Sequence, residues 1–136
     1  MQVSEVMHKG VFTAQMNDSI RKVAYLMKRE DIGAVPVYKN ERPVGFVTDR
    51  DIVISCVAQG HNSEEPISHA MSKHIVSILE NADIRHAAKL MKDKQISRLL
   101  VIDAGETPVG ILTLRDVARN MPDQILTADV LSNIKR

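Results

Sequence analysis

The feature that most constrains this chain of 136 residues is an internal repeat. When each residue is compared with the one 64 positions later, Leu26-Met27-Lys28 falls on Leu90-Met91-Lys92. One residue is inserted in the second copy, after which the offset is 65 and Pro43-Val44-Gly45 falls on Pro108-Val109-Gly110. The chain is therefore a tandem duplication of a unit of roughly 55 to 60 residues, and a unit of that size buries too little surface to be securely stable alone.

Both copies predict the same order of elements, β-α-β-β-α. Ile20, Val23 and Met27 have the spacing of one apolar helix face, which recurs 64 residues later. Asp18 or Ser19 is the predicted N-cap of the first of these helices, and residue 83 is the N-cap of the second. The other predicted elements are extended runs at 11–14 and 75–78, hairpins of 34–38 with 43–48 and of 98–102 with 108–113, and second helices from 49 to about 59 and from 114 to about 121.

The repeat also predicts the domain organisation. Motif 1 covers residues 1–60, a linker covers 61–66, motif 2 covers 67–121, and a tail covers 122–136. Gly60 and Pro122 follow the second helices as helix stops. The tail is predicted to be one more amphipathic helix, from its apolar residues Ile125, Leu126, Val130, Leu131 and Ile134.

Composition excludes several classes of protein. Eighteen basic residues balance seventeen acidic ones, and only four residues are Phe or Tyr, so nucleic-acid binding is not expected. No apolar run approaches 18 residues and the N-terminus lacks a signal-peptide pattern, which predicts a cytoplasmic protein without a membrane segment. The single cysteine, Cys56, excludes an internal disulfide and is interpreted as a small apolar helix residue.

Catalysis and metal binding are not predicted either. The threonines at the predicted helix starts have no adjacent histidine to activate them, so the sequence does not predict an enzyme. No metal site or catalytic cofactor is expected, because no metal-ligand spacing was found among the histidines, which are His8, His61, His69, His74 and His86.

A motif of the form Gly-x-x-Thr-x-Arg-Asp occurs once in each copy, at 45–51 and 110–116. Each stands where a predicted strand ends and a helix begins. In one interpretation the threonine and aspartate only cap the helix, as in a capping box. In the other, free N–H groups at the helix start bind a phosphate while the carboxylate accepts ribose hydroxyls. The recurrence at equivalent positions favours a ligand site.

The duplicated unit, its hairpins (33–37 and 97–101) and its two Gly-x-x-Thr-x-x-Asp motifs resemble the cystathionine β-synthase (CBS) domain over residues 1–121. Two such domains in tandem form a Bateman module, and the resemblance implies one of the free-standing prokaryotic type. The resemblance implies an α/β (α+β) fold of two β-α-β-β-α motifs packed through their sheets with pseudo-twofold symmetry. It also implies two clefts between the motifs, which bind adenosine-containing ligands in this family.

The resemblance further implies which residues bind. Asp51 and Asp116 would accept the ribose hydroxyls, and Thr48 and Thr113 would lie near the phosphates. Arg50, Arg98 and Arg115 would supply positive charge to the phosphates. The adenine would contact two groups of residues, Thr13, Ala14, Ile32, Gly33 and Ala34 in copy one and Ser77, Ile78, Ile96, Ser97 and Arg98 in copy two.

In several relatives the base contacts of one copy combine with the aspartate of the other. We therefore expect Thr13 and Ala14 to be paired with Asp116, and Ser77 and Ile78 with Asp51. Copy one has Gly33-Ala34 where copy two has Ser97-Arg98, so the two sites should differ in affinity.

The implied function is a regulatory sensor. It would bind AMP, ADP, ATP or S-adenosylmethionine, form a homodimer and signal to a regulated protein on a separate chain. The alternative is a scaffold without a ligand, in which the Thr-x-x-Asp elements only cap helices and apolar helix faces drive dimerisation. The sequence does not identify the nucleotide, the number of occupied sites, the regulated partner or the direction of the change caused by binding.

Overall fold

The computed structural model describes residues 1–121, which form two compact units, each with one β-sheet and two α-helices. We call Phe12–Ile75 the inner unit; the outer unit combines Met1–Val11 with the chain from Val76 onwards. The α-helices are α1 (Ile20–Glu30), α2 (Asp49–Ile52), α3 (Ile84–Lys94) and α4 (Leu114–Asn120). The strands are β1 (His8–Lys9), β2 (Ala14–Gln15), β3 (Ala34–Lys39), β4 (Arg42–Thr48), β5 (Ser77–Leu79), β6 (Arg98–Ile102) and β7 (Pro108–Thr113).

The predicted α/β fold class is confirmed, with the elements of each repeat in the expected order. In the inner unit β2 pairs in parallel with β3, and β3 pairs with β4 as an antiparallel hairpin. In the outer unit β5, β6 and β7 repeat this arrangement. A helix connects each parallel pair because parallel strands need a long crossover. The predicted tail helix, at 122–136, lies outside the described residues.

The long helices α1 and α3 begin and end as their sequences indicate. Ser19 Oγ accepts a hydrogen bond from the Lys22 N–H at 3.0 Å, and the Asp83 carboxylate accepts one from the Arg85 N–H at 2.8 Å. This last bond is the main reason why the pKa of Asp83 lies below its usual value. Asp31 and Gln95, with φ of 53° and 55°, end the two helices in the left-handed conformation that often closes an α-helix.

Each unit has its own aliphatic core. In the inner unit the apolar face of α1 packs against β3 and β4, and the fully buried side chains include Ile20, Val23, Val35, Val37 and Val47. In the outer unit Ala87, Ala88 and Met91 of α3 pack with β6 and β7 in the same way. Cys56 is buried, as expected for a small apolar residue. Within residues 1–121, no helix combines the length and the apolar character needed to cross a membrane.

The units do not follow the repeat boundaries, because each repeat's leading segment packs in the unit of the other repeat. In the outer unit β1 pairs antiparallel with β7, with His8 opposite Ile111. At the equivalent place in the inner unit, Ser72 and Phe46 exchange backbone hydrogen bonds of 2.8 and 3.1 Å. Sequence analysis did not predict this exchange.

The glycine of each repeated motif allows the leading segment of the other repeat to pair with its strand. A Cβ on Gly45 would overlap the backbone oxygen of Ser72, and a Cβ on Gly110 would lie 2.6 Å from the backbone oxygen of His8. Only a residue without a side chain allows the neighbouring backbone to approach so closely. The first position of the motif therefore serves strand pairing.

The second helix of the inner unit departs from regular α-helix. After α2, residues Val53–Ala58 form a π-helical turn, and Gly60 follows with φ of 73°. Such turns are rare. Three apolar side chains on this turn are exposed, namely Val53, Ile54 and Val57.

Candidate ligand-binding site

The Thr-x-x-Asp element of the inner unit forms a reciprocal capping box. Thr48 is the N-cap of α2, and its Oγ1 accepts a hydrogen bond from the Asp51 N–H at 3.0 Å. The Thr48 N–H in turn donates to Asp51 Oδ2 at 2.9 Å. Only one carboxylate oxygen of Asp51 takes part in this cap. Among residues 1–121, no hydrogen bond reaches Asp51 Oδ1.

The outer unit repeats the arrangement at α4. The Asp116 N–H donates to Thr113 Oγ1 at 3.2 Å, and the Thr113 N–H donates to Asp116 Oδ2 at 2.9 Å. Asp116 is nine-tenths buried, whereas Asp51 is partly exposed. Both motifs therefore form capping boxes, and Oδ1 of each aspartate lies outside its cap.

The start of the second strand of each repeat lies beside its capping box. In the inner unit Ala34 is opposite Thr48, and the Asp49 N–H donates to the Gly33 oxygen at 3.0 Å. In the outer unit Arg98 is opposite Thr113, and the Leu114 N–H donates to the Ser97 oxygen at 2.8 Å. The structure therefore brings the predicted residues 33, 34, 48 and 51 together in one unit and 97, 98, 113 and 116 in the other.

The predicted adenine contacts on the first strands lie further away. Ala14 is opposite Val37 of β3, three residues along the strand from Ala34, which corresponds to about 10 Å. Ala14 and Ile78 are buried in the cores, while Thr13 and Ser77 are exposed. The predicted partners Ile32 and Ile96 are half-buried and pack against the cores of their own units. The expected combination of each first strand with the aspartate of the other copy stays a prediction.

The two copies differ in charge around the capping box. The inner site has exposed Asp49 and Arg50 beside Asp51, and a Cβ on Gly33 would lie 3.3 Å from Asp49 Oδ2. The outer site has Leu114 in place of Asp49. It also has exposed Arg115 and half-buried Arg98, whose guanidinium lies 3.4 Å from Ser97 Oγ. The outer site is therefore the more basic of the two.

One residue of the outer site was missed by sequence analysis. His8 Nε2 lies 3.2 Å from Asp116 Oδ1, the oxygen that the cap leaves free. His8 reaches Asp116 because β1 pairs with β7. No local pattern in the sequence signals this contact, since the residue aligned with His8 in the other copy is Ser72.

Comparison with known proteins agrees with this architecture. The family model of the CBS domain matches residues 3–57 and 67–123. The CBS domain-containing protein YhcV of Bacillus subtilis is 36% identical over 132 residues, which are 97% of this chain and 94% of YhcV.

Two solved structures share the fold. The conserved CBS domain protein TA0289 of unknown function, from Thermoplasma acidophilum, has a TM-score of 0.80 at 23% identity. The alignment covers 98% of this chain and 75% of TA0289. The CBS domain pair of protein MJ0100, in complex with 5′-methylthioadenosine and S-adenosyl-L-methionine, has a TM-score of 0.73 at 28% identity, covering 88% and 94%. The duplicated sequence, its two capped Thr-x-x-Asp elements and the family match together establish that this chain belongs to the CBS domain family and carries two CBS domains.

Proposed function

We propose that this CBS domain pair is a regulatory module that binds an adenosine-containing ligand (AMP, ADP, ATP or S-adenosylmethionine) and signals to a separate protein. The observation that carries the proposal is the repeated capping box, which uses one oxygen of each aspartate and leaves the other outside the cap. The relative MJ0100, crystallised with two adenosine derivatives, supports the ligand class. A regulatory role is proposed here in place of a catalytic one.

The chemistry of each site suits a ribonucleoside. Oδ1 of Asp51 or Asp116 can accept hydrogen bonds from a ribose, and bonds to a charged acceptor are roughly twice as strong as neutral ones. The threonine hydroxyls at positions 48 and 113 lie at the same helix starts. The hydrogen bonds of the two capping boxes fix the backbone around the carboxylates, so little ordering is required when the ligand binds.

The charge difference favours phosphates at the outer site. Arg98 and Arg115 attract a phosphate there, whereas Asp49 adds a second carboxylate beside Asp51 in the inner site. Because the two arginines attract a phosphate and Asp49 repels one, AMP, ADP and ATP should bind more tightly to the outer site. Titrations of the intact protein should then give two unequal classes of site.

The scaffold without a ligand is the second candidate. Both capping boxes are complete in the protein alone, so each aspartate already has a structural role. The exposed Val53, Ile54 and Val57 also present an apolar surface that a partner can cover. Each of these observations is compatible with ligand sensing as well.

Thermal unfolding with a ligand panel separates the two functions. A ligand that binds only the folded state stabilises it by about 2.7 kcal/mol at 100 times its Kd, which corresponds to a rise in Tm of about 9 °C for a chain of 136 residues. At least one of AMP, ADP, ATP, S-adenosylmethionine and NADH at millimolar concentration should give this shift.

Ligand that co-purifies with the protein must be removed first. Heat-denatured protein is examined for released absorbance at 260 nm, and mass spectrometry identifies any nucleotide. If the stripped protein responds to none of the five compounds, the scaffold function replaces the sensor function.

A further inference from the structure

A cluster of two histidines and one glutamate lies in the inner unit, away from the capping boxes. We call His61, Glu65 and His69 the linker cluster. His61 Nδ1 lies 3.3 Å from Glu65 Oε2, and His69 Nδ1 lies 3.1 Å from Glu65 Oε1. The three ligand atoms all lie within 4.8 Å of one another, and the two imidazole rings are 6.2 Å apart.

The surrounding backbone holds these side chains in place. The Asn62 N–H donates to Glu65 Oε2 at 2.7 Å, which orients the carboxylate. Cys56 Sγ lies 3.2 Å from the His61 carbonyl oxygen, to which the thiol donates where the chain leaves the π-helical turn. The Glu65 carbonyl accepts the Ile20 N–H at 2.9 Å, so the linker also caps the start of α1. The cluster is therefore built on fixed backbone.

The donor set and spacing fit a transition-metal ion. Two imidazole nitrogens and one carboxylate are the protein ligands of His₂Glu zinc sites, in which water fills the fourth position. With metal–ligand bonds of about 2.1 Å, tetrahedral geometry puts neighbouring ligand atoms about 3.4 Å apart. Each imidazole nitrogen is already close to this distance from one of the two carboxylate oxygens, His61 Nδ1 from Oε2 and His69 Nδ1 from Oε1.

We propose that the linker cluster binds Zn²⁺ through His61 Nδ1, the Glu65 carboxylate and His69 Nδ1. Zn²⁺ displaces any proton from each Nδ1: a neutral imidazole carries its proton on Nε2 instead, and an imidazolium releases its Nδ1 proton to solvent, so both histidines bind in the neutral form. The side chains are between one-third and one-half exposed, so the ion has a direct path from solvent.

A bound ion would join the linker to the segment that follows it. His61 and Glu65 lie in the linker, whereas His69 ends the 3₁₀ turn Ile67–His69, whose Ile67 is fully buried in the inner core. The metal therefore ties residues 61–69 together beside the start of α1. Because the unfolded chain lacks this arrangement, binding should stabilise the folded protein.

Cobalt substitution tests the site in the full-length protein without an affinity tag. The protein is dialysed against a chelator and then titrated with Co²⁺, whose absorption in the visible range reports tetrahedral coordination. We expect one Co²⁺ per chain, displacement by Zn²⁺, and a Tm several degrees higher with Zn²⁺ in nucleotide-free buffer.

The variants His61→Asn, His69→Asn and Glu65→Gln should each weaken Co²⁺ binding at least tenfold. His86→Asn is the matched control, because His86 is an exposed histidine of α3 outside the cluster. Glu65→Gln retains the size of the side chain, and circular dichroism checks that each variant is folded.

Three results would overturn the proposal. These are the absence of binding at micromolar Co²⁺ and Zn²⁺, unchanged affinity in the folded Glu65→Gln and His69→Asn variants, and an equal loss in His86→Asn. If histidine variants unfold, Glu65→Gln alone decides the outcome, because a neutral amide oxygen binds Zn²⁺ or Co²⁺ much more weakly than a carboxylate does. None of these results depends on whether the protein binds a nucleotide.

Discussion

Asp116 Oδ1 lies 3.2 Å from His8 Nε2, although the two residues come from opposite ends of the described chain. The aligned Asp51 has no such partner among residues 1–121, since Ser72 occupies the position of His8. The proposed ribose acceptor of the outer site is thus already paired, whereas that of the inner site is available. The two sites differ in availability as well as in charge.

Substitution by asparagine should separate the capping role of each aspartate from its proposed role in ligand binding. Asp51→Asn and Asp116→Asn should fold, because the amide oxygen of asparagine can still accept the hydrogen bond from the threonine N–H that closes each capping box. Each should weaken nucleotide binding about tenfold or more at its own site, through loss of a charge-assisted hydrogen bond worth about 1.5 to 3 kcal/mol. Calorimetric titration measures both sites, with Asp93→Asn on the exposed face of α3 as control. Wild-type affinity and stoichiometry in the double variant would remove both aspartates from the sites.

His8 should compete with the ligand at the outer site. In His8→Ala, Asp116 Oδ1 is free to accept from a ribose without first losing a partner, so nucleotide affinity should rise a few-fold. The unfolding free energy should fall by less than about 1 kcal/mol, since His8 is largely exposed. Ser72→Ala, at the aligned position, should change neither quantity. A lower affinity in His8→Ala would mean that the imidazole assists binding.

The motif glycines, Gly45 and Gly110, should be required for the leading segment of each repeat to pair with the sheet of the other repeat. Gly45→Ala puts a methyl group against the Ser72 backbone, so we expect a loss of about 1 to 3 kcal/mol or more in urea unfolding. Gly110→Ala should be similar, because of the His8 backbone and Met7. In the control Gly105→Ala the added Cβ meets only the Asp103 side chain, at 3.5 Å. Equal stability of all three variants would contradict the close approach.

The buried Tyr38 hydroxyl should be dispensable. Tyr38 Oη has no hydrogen-bond partner in the described part of the chain, and burial raises the pKa of Tyr38 above 10.0. Tyr38→Phe should therefore keep or gain stability at pH 7, by up to about 1 kcal/mol.

The same variant has a defined pH dependence. A raised folded pKa favours the protonated hydroxyl in the native state, so wild-type stability is complete below pH 10.0 and falls above it, as the unfolded chain ionises first. Tyr38→Phe lacks this loss, and its advantage should grow in denaturant titrations above pH 10.0. Parallel curves for the two proteins would contradict the burial effect.

The predicted homodimer should depend on the π-helical turn. Val57 is 73% exposed and lies beside exposed Val53 and Ile54, so a charge at Val57 should disrupt an apolar interface. Sedimentation equilibrium should give about twice 15.2 kDa for the wild type and a monomer for Val57→Glu at micromolar concentration. Tyr25→Glu is the control, an exposed residue of α1 that should leave the dimer intact. A wild-type monomer would refute the prediction.

The sequence predicted what depends on local patterns. Apolar spacing predicted α1 and α3, the N-cap residues predicted their starts, and β-rich runs predicted both hairpins, because these signals act over a few residues. The strand β1 escaped prediction because two exposed residues, His8 and Lys9, carry no alternating pattern. Its pairing depends on the space that Gly110 leaves open.

For the candidate site too, the sequence predicted the local features but not the contacts that depend on tertiary pairing. The Thr-x-x-Asp elements were found because a helix cap is local, whereas His8 at Asp116 depends on tertiary pairing. The linker cluster has a visible four-residue spacing from His61 to Glu65 to His69, but the turn that brings the three side chains together is not helical. Periodicity alone does not predict that turn.

The leading segment of each repeat packs in the unit of the other repeat, and this imposes an order on folding during protein synthesis. The inner unit is continuous, so all of its residues, Phe12–Ile75, are available for folding once Ile75 has left the ribosome. The first residues of the chain must wait, since β1 has no strand to pair with until β7 is made about 100 residues later. At 5 to 20 residues per second this interval is about 5 to 20 s. Strand β1 is thus made before the inner unit but reaches its native place only after β7 has been made.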